Sequence, residues 1–381
     1  MFEINCVSVH IGTTRAVGYH QPLNKGKNMH TKKTNKKLAV SLLALVTLLT
    51  FLVLCTAEDL EPTSGIPLTA LQIPSLPFEI NESGSYYLTE NLNHTSVDTS
   101  AIQINADNVT IDLAGYSIIG PGSSSGTGNN GIYMNGRKNV EIRNGTITNF
   151  GNNGIWEENT GNIATGHRII GVRVLANGNA GISLNSKKNI IKDCTISDNS
   201  FSSSDSGSGI ICYDASIITD NVIYNNSYYS GIIATNGCII SGNNISKNGF
   251  GIRTFHGCSI IGNSCYRNGD CGILALGNGN VIKGNTLLEN VINGIGVEGT
   301  FNTIEENVVT YCKVGINFLN SQNFYANNRV MYNATNYNGA IPTGLGDGGG
   351  NIEFGILPIE SVSAEVGIYN VQAVTDIAAS S

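Results

Sequence analysis

The chain has 381 residues and a formal net charge of −7; 46 residues are glycine and, by count, 50 are asparagine, while charged residues make up only 13%. Glycine and asparagine are poor helix formers that tolerate positive φ and end regular elements, so this density excludes long helical bundles. A hydrophobic fraction of 41% still provides a sizeable core, which excludes disorder over most of the length.

In chain order, the first segment concerns export. Lys32, Lys33, Lys36 and Lys37 precede an uncharged apolar run from Leu38 to Ala57, which Glu58 and Asp59 follow. This reads as a secretory signal peptide cleaved after Ala57, with residues 1–28, ahead of Met29, an upstream extension that carries no fold. Two rival readings stay open. The 20-residue run is also long enough for an uncleaved membrane anchor, and Cys55 is a candidate for lipidation, although Leu54 is larger than the small residue expected before such a cysteine. Removing residues 1–57 takes away 7 of 21 Lys+Arg and 1 of 28 Asp+Glu, leaving 14 against 27, a net charge of −13, together with seven cysteines. So acidic a chain lacks the cations that neutralise phosphate, which excludes nucleic acid as a partner. A membrane is expected as a partner only if the N-terminal segment stays uncleaved. The expected location is secreted, periplasmic or cell-surface.

Residues 58–122 contain two alternating stretches, Phe78–Leu92 and Ala101–Ile119, and are expected to form an N-terminal cap and first coils. Residues 123–333 are a repeat. Gly-Ile recurs at Gly131, Gly154, Gly181, Gly209, Gly231, Gly251, Gly272, Gly294 and Gly315, with steps of 23, 27, 28, 22, 20, 21, 22 and 21. Half a repeat later comes an asparagine column, Asn221, Asn243, Asn263, Asn285, Asn307 and Asn328. Isoleucines stand three residues before most of its members (Ile218, Ile240, Ile260, Ile282, Ile304), and Ile223, Ile245, Cys265, Leu287, Val309 and Val330 stand two after. Such a pattern places two short strands around a bend with these side chains inward. A unit of about 21 residues cannot bury its own apolar face, so the units stack as a solenoid of parallel coils. Stacked asparagines then bond amide to carbonyl up the column, and asparagine also tolerates the left-handed conformation of a corner. Ten to eleven coils are expected. Residues 334–381 leave the repeat and are expected to be a C-terminal cap or tail.

Segments such as Ala106-Asp107-Asn108-Val109-Thr110-Ile111-Asp112-Leu113, Asn302-Thr303-Ile304-Glu305-Glu306-Asn307 and the recurring Gly-Ile unit resemble the right-handed parallel β-helix repeat proteins of the pectate-lyase-like superfamily. The resemblance covers roughly residues 75–335. It implies an all-β, right-handed parallel β-helix and an exported protein, with members that are polysaccharide lyases, hydrolases or epimerases and others without demonstrated activity. Fold alone does not choose among them.

If the Ile of each Gly-Ile points inward, the first and third residues after it point outward. This row holds Tyr133, Trp156, Glu158, Asn185, Tyr213, Arg253, Phe255, Glu298 and Asn317, with Asp214 and His256 at strand ends. Tyr133, Trp156, Tyr213, Arg253 and Phe255 are candidates for substrate binding: aromatic faces stack on sugar rings, and an arginine fork clamps a carboxylate. The bland alternative is that Trp156 covers a loop and that Arg253 and His256 are solvated. The widest repeats put extra residues at Gly161–His167 and Phe201–Ser208, expected to wall a groove beside Trp156 and Tyr213. As catalytic candidates, Glu158 and Asp214 are two coils apart, and Arg253 or His256 is a candidate base; the doublet Glu157-Glu158 itself straddles a strand, one carboxyl on each side. The polygalacturonase set is missing, since there is no Asp-Asp pair, and so are the Asp-Pro-His of alginate epimerases and an acidic cluster beside Arg253 of the pectate-lyase kind.

No metal site is expected, because the mature chain has only His94, His167 and His256 and no Cys-x-x-Cys. No cofactor is expected either; calcium is the one ion the resemblance would allow. Cys238 and Cys258 each lie five residues before a ladder asparagine, and coils ~4.8 Å apart fall in the bridging window of about 4.4–6.8 Å, so a disulfide and a pair of buried thiols both fit. The sequence thus points to an exported β-helix that binds, or binds and degrades, a polysaccharide or cell-surface glycan along the Gly-Ile face. The alternative is a non-enzymatic structural or adhesive surface protein.

Overall fold

The computed structural model describes residues 70–123, 128–158, 160, 164–199, 207–226 and 229–356. The signal segment and the start of the expected cap lie outside them. Within them the chain is a parallel β-solenoid without an α-helix; one 3-10 turn spans Gly344–Gly346. A representative coil runs Phe250–Thr254, Ser259–Ile261 and Ser264–Tyr266, three short strands separated by corners, before Gly272-Ile273 opens the next. The Gly-Ile strands stack in register as a 12-stranded parallel sheet from Phe78–Ile80 to Thr335–Gly339, and the remaining strands form a 22-stranded parallel sheet. Twelve rungs replace the ten to eleven expected. The first two, Phe78–Ile80 and Ile102–Ile104, and the last, Thr335–Gly339, lack the Gly-Ile marker but pair in parallel all the same. Ile352–Ile356 likewise pairs with Arg329–Asn333, so the ladder runs past the boundary at residue 333.

The in/out phase follows the pattern. Ile218, Ile240, Ile260, Ile282 and Ile304 are fully buried, as are Ile223, Ile245, Cys265, Leu287, Val309 and Val330 and the Ile of every Gly-Ile. The glycine beside that Ile is needed for closeness. A Cβ at Gly231 would sit 2.7 Å from Ile245 Cγ2 and 2.9 Å from the carbonyl of Gly251 on the next coil.

The corners correct one expectation. The left-handed residue is not the ladder asparagine but the one before it: Asp220, Gly242, Gly262, Gly284, Glu306 and Asn327 have φ of 55–66°, and each is followed by a ladder asparagine. Position and conformation are therefore divided between two neighbours. The column forms the expected chain of bonds. Asn263, for example, donates through Nδ2 to Asn285 Oδ1 (3.0 Å) and the Ile240 carbonyl (2.9 Å), and accepts at Oδ1 from the backbone N–H (3.0 Å) and the amide (2.9 Å) of Asn243.

Two further ladders accompany it. Asn177, Asn199, Asn226, Asn248, Asn268 and Asn290 form the second, each passing an amide bond of 2.9–3.2 Å to the next. The third is mixed and runs His167, Asn189, Ser216, then Cys238, Cys258, Asn280, Asn302 and Asn323. Side chains accept backbone N–H groups of the coil before, as Asn189 Oδ1 does from His167 (3.0 Å) and Asn280 Oδ1 from Cys258 (2.9 Å). Cys238 and Cys258 stand in this column as free, buried thiols, donating to the carbonyls of Tyr213 (3.3 Å) and Thr235 (2.9 Å). Buried polar atoms must find partners, and three ladders at three corners satisfy nearly all of them in every coil.

Candidate functional site

Register fixes what lies beside what on the outer side of the Gly-Ile sheet. The row one position after the Ile reads Gln103, Tyr133, Trp156, Ser183, Ile211, Ile233, Arg253, Leu274, Gly296 and Asn317. Tyr133 and Trp156 are on adjacent rungs with ring centroids 5.2 Å apart and planes tilted by 44°. Tyr133 Oη donates to Glu158 Oε2 at 2.6 Å. Burial, then the hydrogen bond to and charge of Glu158, push the Tyr133 pKa up to about 12. All three side chains are half-buried and face away from the core. They form one aromatic and acidic patch.

Arg253 is not part of that patch. It lies four rungs from Trp156, roughly 19 Å at ~4.8 Å per rung. Its guanidinium lies 5.0 Å from the centre of the Phe250 ring, within a small apolar cluster of Phe250, Cys271 and Leu274 outside the main core. Arg253 Nε is buried and has no hydrogen-bond partner among the described residues. Burial draws its pKa below the usual arginine range, against the pull of Glu298 and Asp270. Burial in turn raises the carboxyl of Asp270.

The other candidates are tied into corners. Asp214 Oδ1 accepts from Thr235 Oγ1 (2.8 Å), the Asn236 backbone (3.2 Å) and the Asn236 amide (3.1 Å), and Lys187 Nζ lies 3.4 Å from Oδ2. Burial alone would raise its pKa, but these bonds and the Lys187 charge outweigh it and hold the carboxyl below the usual range. The ion pair is a surface one and adds little stability. His256 Nδ1 accepts the backbone N–H of Asn278 at 3.0 Å, and the backbone N–H of His256 donates to Asn236 Oδ1 at 3.2 Å. The Phe255 carbonyl accepts from Asn280 (2.7 Å), with its ring half-buried two rungs from Tyr213. Glu158 and Asp214 therefore do not share an environment: one faces the aromatic pair, the other closes a turn.

The expected groove wall at Gly161–His167 is only partly within the described residues, and its end turns inward. Ala164 is buried, and His167 is fully enclosed. There His167 Nε2 lies 3.0 Å from Glu157 Oε1, both side chains completely buried. His167 Nδ1 accepts the backbone N–H of Val140 (3.2 Å), so the ring proton belongs to Nε2 and is donated to the carboxyl. Glu157 Oε2 has no partner among the described residues. Sequence reasoning placed Glu157 and Glu158 on opposite sides of the strand but missed the pair. The available signal was an acidic residue in a column otherwise filled by Met134, Leu184 and Cys212. Of the second wall, Phe201–Ser208, only Gly207 and Ser208 are described, and both are buried.

Short parallel strands, inward aliphatic columns and stacked polar corners define a repetitive β-solenoid. The chain folds as a right-handed parallel β-helix. The family model described as right handed beta helix region matches residues 198–331, and that of the periplasmic copper-binding protein NosD matches residues 100–255. Among solved structures, the periplasmic alginate epimerase AlgG is 15% identical with a TM-score of 0.51, over 74% of this chain and 77% of that one. The tailspike protein of E. coli bacteriophage HK620 is 11% identical with a TM-score of 0.53, over 71% of this chain and 59% of that one. At these identities the likeness is one of fold. No curated protein matches the chain.

The NosD description names copper. Among the described residues no three His, Cys, Asp or Glu side chains converge. The thiols are buried, and burial pushes Cys194 and Cys212 up to about 11, whereas the hydrogen bond with Cys238 draws Cys258 below the usual thiol range. Among the described residues no helix is long and apolar enough to cross a membrane.

Proposed function

We propose that this chain is an exported glycan-binding β-helix that seats a polysaccharide on the outer face of the Gly-Ile sheet, centred on Tyr133, Trp156 and Glu158. One observation carries the reading. The protein's single tryptophan and a tyrosine stand side by side on the outer side of a sheet, and a carboxylate accepts from the tyrosine hydroxyl. Aromatic side chains are exposed elsewhere too, as in the stacked pair Tyr311 and Tyr332, which lies off the Gly-Ile sheet. An aromatic pair with a polar rim fits a sugar, whose apolar ring face stacks while its hydroxyls hydrogen-bond. The fold is shared with an alginate epimerase and a phage tailspike, and the NosD and AlgG names place those relatives in the periplasm. That supports an exported setting and a glycan partner. The role assigned is binding; Asp214 is committed to its corner, and among the described residues no second carboxylate joins Glu158 at the aromatic pair.

The test is a glycan array probed with the full chain, alongside Trp156→Ala and Tyr133→Phe. Loss of the stacked ring is expected to weaken binding by roughly 5- to 150-fold, with the melting transition unchanged. If no glycan binds the parent, or if Trp156→Ala binds as the parent does, the face is not a glycan site and the solenoid is better read as a structural or adhesive spacer.

A further inference from the structure

Resting on that reading, we infer that the aromatic patch takes an uncharged hexose polymer and rejects a uronate one. The argument is electrostatic and starts from the register. The outward row through the patch runs Glu79, Gln103, Tyr133, Trp156 and Ser183 over five successive rungs. Beside it Asn105 bridges to Asn81 (2.8 Å) and accepts from Gln103 (3.0 Å), giving a belt of amides that can bond hydroxyls of either polarity. The outward carboxylates of these rungs are Glu79 and Glu158, Glu157 being turned into the core. At the corner that follows Tyr133, Arg137 is already engaged, with Nε donating to the Asn135 carbonyl (2.8 Å) and Nη1 to that of Asn105 (2.7 Å), and the next residue, Lys138, is exposed.

The arrangement around Glu158 sets the sign at the place where it matters. Oε2 holds the Tyr133 hydroxyl, while Oε1 has no hydrogen bond to any described residue, so an accepting oxygen remains open at the tyrosine end of the aromatic pair. A sugar hydroxyl can donate to it. A uronate carboxylate has no proton to give and brings a like charge within a few ångströms, in a half-buried setting where water screens incompletely. The guanidinium that would welcome a uronate, Arg253, is four rungs away and packed on Phe250. The face is thus divided: a patch for neutral hydroxyl-rich rings around Trp156 at one end, and Arg253, roughly 19 Å along the stack, outside the footprint of the ring held at Trp156.

A matched pair of probes isolates this charge: the hexasaccharides of β-1,4-mannan and of β-1,4-mannuronan, which differ at the sixth carbon. Titration calorimetry with the full chain is expected to favour the mannan by about tenfold or more, the size of one poorly screened like-charge contact. Glu158→Gln keeps the shape and the Tyr133 contact but removes the charge, and should narrow the preference to about threefold or less by strengthening the mannuronan. Tighter binding of the mannuronan, abolished by Arg253→Ala, would overturn the inference while leaving a glycan-binding face intact. An unchanged preference in Glu158→Gln would overturn it too. Binding of neither probe also overturns it, and the broader reading falls with it only if the glycan array is empty as well.

Discussion

The enclosed Glu157–His167 pair offers a demanding test of how the repeat is stabilised. His167 stands where the next coil of its ladder has Asn189, and Glu157 stands in register with Leu184. His167→Asn restores the ladder residue: an asparagine oxygen can accept the Val140 N–H as the imidazole nitrogen does at 3.2 Å. It removes the donor to Glu157, however, whose other oxygen already lacks a partner, and leaves a wholly buried carboxyl unpaired. Breaking one side of a buried pair costs about 3–5 kcal/mol, and that is the expected loss. Adding Glu157→Leu removes the orphaned group and fills the column with an aliphatic side chain of similar volume. Replacing a whole buried pair in this way is neutral or stabilising by about 1–4 kcal/mol, so the double variant should be at least as stable as the parent. Urea unfolding followed by far-ultraviolet circular dichroism gives the three free energies and their coupling. The reasoning is refuted if His167→Asn alone costs under ~1 kcal/mol, or if the double variant is no better than the single one.

Two further outcomes follow from the ladders and the aromatic patch. Asn243 and Asn244 are neighbours in sequence, but Asn243 is buried and bonded to Asn221, Ile218 and Asn263, whereas Asn244 is exposed. Asn243→Ala should cost about 3–5 kcal/mol, through an orphaned backbone donor and lost amide bonds, and Asn244→Ala under ~0.5, measured by the same unfolding curves. Equal losses would place the ladder wrongly. Tyr133 holds its proton up to about pH 12 in the folded chain against a reference value of 10.0. A group raised on folding contributes stability that is full below the unfolded value and lost as pH climbs to the folded one, here from about 10 to about 12. Absorbance titration at the phenolate band should show a late component to which Tyr133 contributes together with Tyr86, Tyr325 and Tyr337, and Glu158→Gln should bring one tyrosine's share of it earlier; an unchanged titration in Glu158→Gln would dissolve the Tyr133–Glu158 bond.

The sequence by itself determined the solenoid, because a repeat that short leaves each unit with an apolar face only stacking can bury, and because the period-2 pattern around Asn221 and its successors sets which side chains turn inward. The second ladder was equally legible, since Asn226, Asn248, Asn268 and Asn290 step by 22, 20 and 22, but it lies one short strand from the first and is easily merged with it. The mixed ladder was not legible: histidine, serine and cysteine join asparagine there through a shared ability to accept a backbone N–H, which becomes visible only when the coils are in register. The outward row named the aromatic and charged candidates correctly as a face but not as a site. Alternation gives direction along one strand, whereas the distance between Trp156 and Arg253 depends on how many rungs separate them, and the partners of Asp214 and His256 come from corners of the coils before and after. Which residues share a sugar's footprint was therefore decided by stacking, the one dimension of a β-helix that runs across the sequence instead of along it.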